Sequence, residues 1–383
     1  MKEFDYIIVG GGASGLQLAD ALGSDPYFAD KRIALFERES QKGNDRTWCF
    51  WEEGRGKFDA MLTKSWDHLQ FRGPEFERKV GLDPYRYKML RGEDFYREYH
   101  KRIAQYPNIA LHFEEVRSVE ENDGKALVQT ENGTFRAGLV FSSVSFEPME
   151  KLMKPFPVLQ QHFLGWFVRC KAPVFDAQAP TFMDFSIPQQ GNTRFMYVLP
   201  QTPTEALVEY TLFSESFLET RQYEAALEDY MKYDLGNPDF EILEKEQGSI
   251  PMTVNDFTAA DRPYLVHIGI AGGWAKASTG YTFWSTSQKV PQLVEAVKSG
   301  KPLKMAKKSK FWYYDRLMLD VLARENARGS RIFSSLFSSL PPQLIFKFLH
   351  EETSLAEDFQ IINSCPKAMF IRAFWKALIR SSY

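Results

Sequence analysis

The hydrophobic pattern switches period twice within the first forty residues. Tyr6-Ile7-Ile8-Val9 is a short unbroken apolar run, as a strand covered on both faces requires. After Gly10 the apolar positions Leu16 and Leu22 fall at helical spacing, and Arg32 to Phe36 returns to a strand that ends on Glu37. The pattern predicts one βαβ unit. Strands are also expected over Lys125 to Thr130 and Thr134 to Phe146, joined at Asn132-Gly133, a dipeptide that favours a tight hairpin. Between 150 and 250 extended segments alternate with prolines (Pro148, Pro155, Pro157, Pro173, Pro180, Pro188, Pro200, Pro203), the texture of a β-rich insertion.

A strand from Tyr264 to Ile270 then runs into Gly269, Gly272 and Gly273, and a helix after Gly280 carries Leu293, Val294 and Val297 on one side. From Phe311 the pattern is helical, with Leu317, Leu319, Val321 and Leu322 clustered and a break at Pro341-Pro342. The expected architecture is α/β with an α+β insertion. A Rossmann-like nucleotide domain is assembled from 1–70, 71–150 and 251–310, with a β-rich substrate domain at 151–250 and a helical region at 311–383.

Chemistry enters with the glycines. Gly10, Gly12 and Gly15 form GxGxxG between a strand and a helix, so bare backbone can approach a pyrophosphate at a helix N-terminus. Glu37, at the end of the next strand, is positioned to accept hydrogen bonds from a ribose. The second glycine turn, Gly272-Gly273, before a second helix favours FAD over NAD, because two-domain flavoproteins bring such a turn to the flavin end of the cofactor.

Composition narrows the remaining classes. The 383 residues carry a net charge of −3, which gives no global argument for nucleic-acid binding. Aromatic residues make up 15% of the chain, pointing to an apolar ligand or large apolar contacts. Cys49, Cys170 and Cys365 are odd in number and lack CxxC spacing, and the six histidines show no HExxH or paired spacing; no disulfide framework and no metal site is expected. The N-terminus has no signal-peptide pattern, and no run of about 18 apolar residues occurs, so membrane contact is expected to be peripheral. One segment suits such contact: 298–331 holds ten Lys and Arg residues, Lys304 and Lys307 among them, against Asp315, Asp320 and Glu325, beside Phe311, Trp312, Tyr313 and Tyr314. The last predicted helix, Ala368 to Ile379, adds Met369, Phe370, Phe374, Trp375 and Leu378 with Arg372 and Lys376. Both stretches equally fit amphipathic helices packed on their own domain.

Several blocks carry a resemblance. Asp45-Arg46-Thr47-Trp48-Cys49-Phe50-Trp51, Thr193 to Pro200, Ala206 to Thr211, Gly248 to Met252, and Gly269 to Trp274 with Thr279-Gly280-Tyr281 resemble, in order, the bacterial lycopene cyclase family, and Pro341, Phe346 to Leu349 and Ile361 to Pro366 keep the register. The resemblance implies a flavin-dependent, membrane-associated isomerase of carotenoid biosynthesis on the cytoplasmic side of the membrane. It would close β-ionone rings on lycopene, through γ-carotene to β-carotene, with reduced FAD, NAD(P)H as electron source and no net redox change. It also makes Glu209 the essential glutamate. The residues agree independently: in a strand, Leu207, Glu209, Thr211 and Phe213 share one face, so the carboxyl lies among apolar neighbours where desolvation keeps a proton on it. A solvated carboxylate at a strand edge is the other reading of Glu209.

Trp48, Trp51, Phe195, Tyr197, Trp274 and Tyr281 are the aromatic candidates for facing a carbocation, core packing being the alternative for each. Arg46 serves either the pyrophosphate and flavin edge or a surface ion pair. The rival functions are a monooxygenase or halogenase using FAD with NAD(P)H, and a non-catalytic carotenoid or flavin carrier.

Overall fold

The computed structural model describes residues 1–147, 154–303 and 308–380, with backbone alone for 374–380. Pro148, Lys304 and Lys307, and the side chains of Phe374, Trp375, Lys376 and Leu378, lie outside the described residues. The opening pattern folds as read. The Lys2–Val9 strand runs parallel between Ile33–Glu37 and Thr134–Ser142, and the Ala13–Ser24 helix packs over it. Ile109–Phe113 extends the sheet beyond Ile33–Glu37. On the opposite side Lys125–Thr130 forms the expected hairpin with Thr134–Ser142, and Val116–Asn122 adds a third antiparallel strand through the Asp123-Gly124 turn, both of whose residues have positive φ.

The late strand is shorter than the sequence reading. Leu265–His267 pairs in parallel with the end of Thr134–Ser142 and then stops, because Gly269 and Gly273 take left-handed φ values of 61° and 67° and turn the chain through Gly269–Gly272. The helix Phe283–Ser299 follows and packs against Ala13–Ser24.

The second sheet has seven strands in the order Phe240–Met252, Leu159–Cys170, Glu205–Ser214, Thr193–Pro200, Thr181–Asp184, His68–Gly73 and Phe76–Gly81. Its last two strands come from residues 68–81, so the sheet is not confined to 151–250. Side-chain alternation divides its faces. Ala206, Val208, Tyr210 and Leu212 pack under the Thr220–Tyr233 helix with Tyr223, Leu227 and Tyr230. Leu207 and Phe213 point the other way, into a core shared with Phe195, Leu199, Phe333, Phe337 and Phe346. A three-stranded sheet of Thr47–Glu53, Tyr85–Arg91 and Lys64–Trp66 joins that core through Trp51, Trp66, Tyr87 and Met89.

The C-terminal helices are Lys310–Glu325, Gly329–Ser339, Pro342–Leu349, Leu355–Ser364 and Lys367–Arg380. Most of the aromatic and basic groups of the 298–331 segment turn inward or pair locally. Phe311 is buried, the Trp312 indole donates to the Val254 carbonyl, the Tyr314 hydroxyl donates to Asp358, and only Tyr313 of the four is exposed. Lys298 pairs with Asp25, Lys310 with Asp358, Arg324 with Asp320 and Arg328 with Glu325. Exposed apolar side chains occur further along the chain, at Leu355, Phe359 and Ile362 of the Leu355–Ser364 helix, with Ile371 beyond them. Among the described residues no helix is long and apolar enough to cross a membrane.

Candidate active site

One cavity of about 590 Å³ runs from the first glycine turn to the inner face of the second sheet. The three glycines at its first end divide their labour. Gly10 has a φ of 93° and makes the turn. A Cβ on Gly12 would meet nothing within 4 Å, so its backbone is open to the cavity. A Cβ on Gly15 would lie 1.9 Å from the Gly10 carbonyl oxygen, so this glycine serves the close packing of helix on turn. No side chain caps Ala13–Ser24, which leaves its first N–H groups for a ligand.

Glu37 lines the same end. Its Oε2 accepts the Gly11 N–H at 2.6 Å and the Lys42 ammonium at 2.7 Å. Burial opposes its charge, but Lys42 and the amides of Glu39 and Gly11 together hold the carboxyl below the usual carboxylate range. Lys42 had no pattern in the sequence to mark it; it becomes visible only where its loop folds back over Glu37. Arg46 lines this end of the cavity as an exposed side chain, and its guanidinium donates to the Asp45 carbonyl.

The second glycine turn does reach the cavity, but through different residues from those expected. Gly269 and Ile270 line it, and a Cβ on Gly269 would lie 2.5 Å from Ser14 Oγ at the head of the first helix. Gly272 and Gly273 do not line it: a Cβ on Gly272 would strike the His267 carbonyl oxygen at 2.2 Å, and both glycines border a second cavity of about 830 Å³. Their positions serve the turn itself. The N-terminus of Phe283–Ser299 also faces the first cavity through Thr282, Phe283 and Thr286 and has no side-chain cap. Gln161 Oε1, Thr279 Oγ1 and Thr286 Oγ1 are buried there without hydrogen-bond partners. Two uncapped helix ends, an open glycine and three unpaired polar atoms along one cavity fit a dinucleotide.

The far end is apolar apart from two acids. Glu209 lies in the buried row that the sequence indicated, with Leu207 and Phe213 beside it on the cavity wall, and the Thr211 hydroxyl donates to its Oε1 at 2.5 Å. Glu246, which the sequence reading did not single out, is buried in the same wall, and the Thr47 hydroxyl donates to its Oε2 at 2.6 Å. Strand register explains the meeting. Gly165 pairs with Glu209 on one side and with Glu246 on the other, so both carboxyls project from one face with no side chain between them. Burial, and for Glu209 the neighbouring Glu246, push Glu209 up to about 8; burial pushes Glu246 up to about 7.

Tyr197 continues the same row on the next strand, paired with Glu209, and its hydroxyl is hydrogen-bonded to that of Tyr87. Desolvation raises the Cys49 thiol to about 12, and Glu209 adds to that shift. The aromatic candidates separate into two groups. Trp48, Phe195, Tyr197 and Tyr281 line the first cavity, with Phe182, Phe213 and Phe333. Trp51 and Trp274 border the second, where Trp51 stacks on Phe346 and His350 and Trp274 is almost fully buried in the core under the first helix and sheet. Cys49, Ile270 and Tyr281 border both cavities.

Comparison with solved structures places the fold among flavoproteins. A geranylgeranyl bacteriochlorophyll reductase-like protein of Thermoplasma acidophilum matches with a TM-score of 0.61 at 12% identity, covering 97% of this chain and 98% of that one. The flavin-dependent monooxygenase PieE, solved with FAD and substrate, matches with a TM-score of 0.61 at 11% identity over 95% of this chain and 72% of that one. In sequence, the lycopene beta-cyclase of Pantoea ananas is 26% identical over 291 residues, covering 73% of this chain and 71% of that protein. The lycopene beta-cyclase of Pseudescherichia vulneris is 25% identical over 289 residues, covering 73% and 70%. The family model described as lycopene cyclase protein matches residues 5–377, taking in the glycine turns and both buried acids, and the chain belongs to the lycopene cyclase family.

Proposed function

We propose that this enzyme is a lycopene β-cyclase that closes β-ionone rings on the ends of lycopene by acid–base chemistry, with reduced FAD and no net oxidation. The observation that carries the reading is Glu209, a buried carboxyl in the lining of an aromatic cavity, where desolvation and the neighbouring Glu246 favour its protonated form. Such an acid can protonate a terminal double bond, and hydrocarbon surroundings keep water from the resulting tertiary cation. Phe195, Tyr197, Phe213, Tyr281 and Phe333 present aromatic rings to that space. Gly10, Gly12 and the two uncapped helix ends would hold the FAD pyrophosphate and flavin, with Glu37 on the ribose and Gly269 and Ile270 in the roles first read for Gly272 and Gly273. Reduced FAD, when bound, supplies charge stabilisation or a proton-transfer partner and is not consumed. NAD(P)H would reduce it.

The substrate resides in bilayers, and the reading includes peripheral attachment on the cytoplasmic side. The exposed apolar face of Leu355, Phe359 and Ile362 is the docking element, in place of the inward-turned aromatics of 311–314. Liposome flotation of the parent against a Leu355→Ser, Phe359→Ser double variant tests this, and undiminished flotation of the variant removes that face from the reading.

The main test is product analysis. With lycopene and reduced FAD in the absence of oxygen, β-carotene should form while the flavin stays reduced. Glu209→Gln should lower turnover by ~1,000-fold or more with FAD still bound. Dependence of the product on oxygen, or a Glu209→Gln variant near the parent rate, would overturn the proposal.

A further inference from the structure

Ring closure returns as many protons as it takes, so the site needs a base as well as an acid, and the buried wall holds a second carboxyl, Glu246. We infer that Glu209 and Glu246 act as a pair that shares one proton across Gly165, Glu209 delivering it to the terminal double bond and Glu246 receiving one from the closed ring. The inference rests on the cyclase reading and adds to it the identity of the base.

The geometry is set by one missing side chain. Gly165 lies between Phe163 and Phe167 on the same face of its strand, and these two rings pair across to Thr211 and Gly248, and to Leu207 and Glu244. The bare position is a slot in an otherwise aromatic column. A Cβ there would come to 2.8 Å from Leu207 Cδ1 and 3.4 Å from the Glu209 Cβ and Cγ, filling the space between the acids. Each carboxyl has one oxygen fixed by a hydroxyl, Thr211 on Glu209 Oε1 and Thr47 on Glu246 Oε2. Among the described residues the other oxygen of each accepts no hydrogen bond, and both acids border the cavity. The charged and titratable groups around Glu246 are Glu209, Glu244, Arg46, Arg91 and Cys49; those around Glu209 are Glu246, Cys49, Tyr197 and Tyr281.

The proton and electron balance closes without another reactant. The Glu209 O–H bond breaks as a C–H bond forms at the terminal alkene, leaving a carboxylate and a tertiary cation. The internal double bond attacks that cation and a C–C bond closes the ring. A C–H bond next to the displaced cation then breaks, its electron pair becomes the ring double bond, and the proton goes to Glu246. Transfer from Glu246 to Glu209 across the slot restores the start. The pair carries one negative charge before and after turnover and two while the cation exists. The doubly ionised state is disfavoured by mutual repulsion until a cation lies over it, so the attraction is felt most where the barrier lies.

The test uses the holoenzyme with lycopene in vesicles, comparing the parent, Glu246→Gln and Glu246→Asp. The parent should show a bell-shaped pH–rate profile, since activity needs one carboxyl protonated and the other ionised. Glu246→Gln should fall by ~100-fold or more in kcat, lose the acid limb and shift the alkaline limb to lower pH; Glu246→Asp should recover part of the rate with both limbs. Glu246→Gln within twofold of the parent, with both limbs in place, would overturn the pairing. Infrared difference titration of protonated carboxyls reads the pair without substrate: the parent should lose two bands in separate steps and Glu246→Gln one, whereas coincident loss in the ordinary carboxylate range would also overturn it. If separate steps stand but the parent makes no cyclic product, the cyclase reading falls and proton sharing survives.

Discussion

The two ends of the first cavity are built by different means. At the glycine end the determinants are backbone: Gly10 bends, Gly12 exposes its peptide, Gly15 lets helix and turn touch, and all three lie within six residues of chain. At the acid end the determinants are side chains brought from three strands, with Glu209, Gly165 and Glu246 drawn from 82 positions of sequence into a single row. Local geometry made the first end and strand register made the second. They should therefore fail differently.

The sharpest break is at Gly15. Gly15→Val should cost about 3 kcal/mol or more, because any Cβ there overlaps the Gly10 carbonyl, and Tm and FAD content should fall together. Gly12→Ala, with open space around its Cβ, should leave the Tm of the cofactor-free protein unchanged and weaken FAD alone, as read by flavin titration. If the two variants behave alike, the division of labour among these glycines is wrong.

Gly165→Ala is the counterpart at the other end. Its Cβ presses on the movable end of Leu207 rather than on backbone, so the protein should fold and bind flavin. Turnover should fall by ~10-fold or more as the methyl separates the carboxyls. Unchanged turnover would show that the slot has no part in the chemistry.

This contrast also explains what could be read from the chain alone. GxGxxG and Glu37 were legible because turn, helix start and strand end are contiguous, and Glu209 because alternation along one strand is a local property. Gly272 and Gly273 misled for the opposite reason: any glycine-rich turn looks alike in sequence, and only in the folded turn does Gly269 come against Ser14 at the cavity while Gly272 packs on the His267 carbonyl and Gly273 on Phe257. Glu246 lies in a strand whose neighbours Glu244 and Lys245 read as solvated. Nothing local tells that it shares a row with Glu209, since that depends on the pairing of Leu159–Cys170 with both flanking strands. Trp51 and Trp274 stood in the matching blocks, yet their neighbours in space put them on the second cavity.

A smaller effect separates the two ends through stability. Both acids have folded-state values above the ordinary 4.5, so between that value and about 8 the folded chain holds protons that the unfolded chain has lost. Stability then falls as pH rises through this window. Glu246→Gln removes one titrating group and its repulsion. Its Tm should exceed that of the parent by a few degrees at pH 8, and the difference should vanish at pH 4. Glu37 has the opposite sign: its folded value is lowered, so the stability it contributes is present above 4.5 and is lost as pH falls through its folded value. A Glu246→Gln variant less stable than the parent at pH 8 would mean that the carboxyl is better solvated than its burial implies.

The finest distinction is at Thr211, whose hydroxyl favours the ionised form of Glu209. Thr211→Val keeps the shape and removes the donor, so Glu209 should hold its proton to higher pH and the alkaline limb of the pH–rate profile should move upward. Thr47→Val acts on Glu246 in the same sense, because the Thr47 hydroxyl likewise favours its carboxylate. If Glu246 is the base, that change should move the acid limb upward and leave a narrower bell, whereas Thr211→Val should widen it on the alkaline side. Flavin binding should be untouched in both, since each donor lies among the strand-borne acids and not at the glycine turn. Opposite effects of two equivalent hydroxyl deletions on bell width would assign acid and base to their separate strands; equal displacement of both limbs by either variant would mean that the carboxyls do not hold distinct roles.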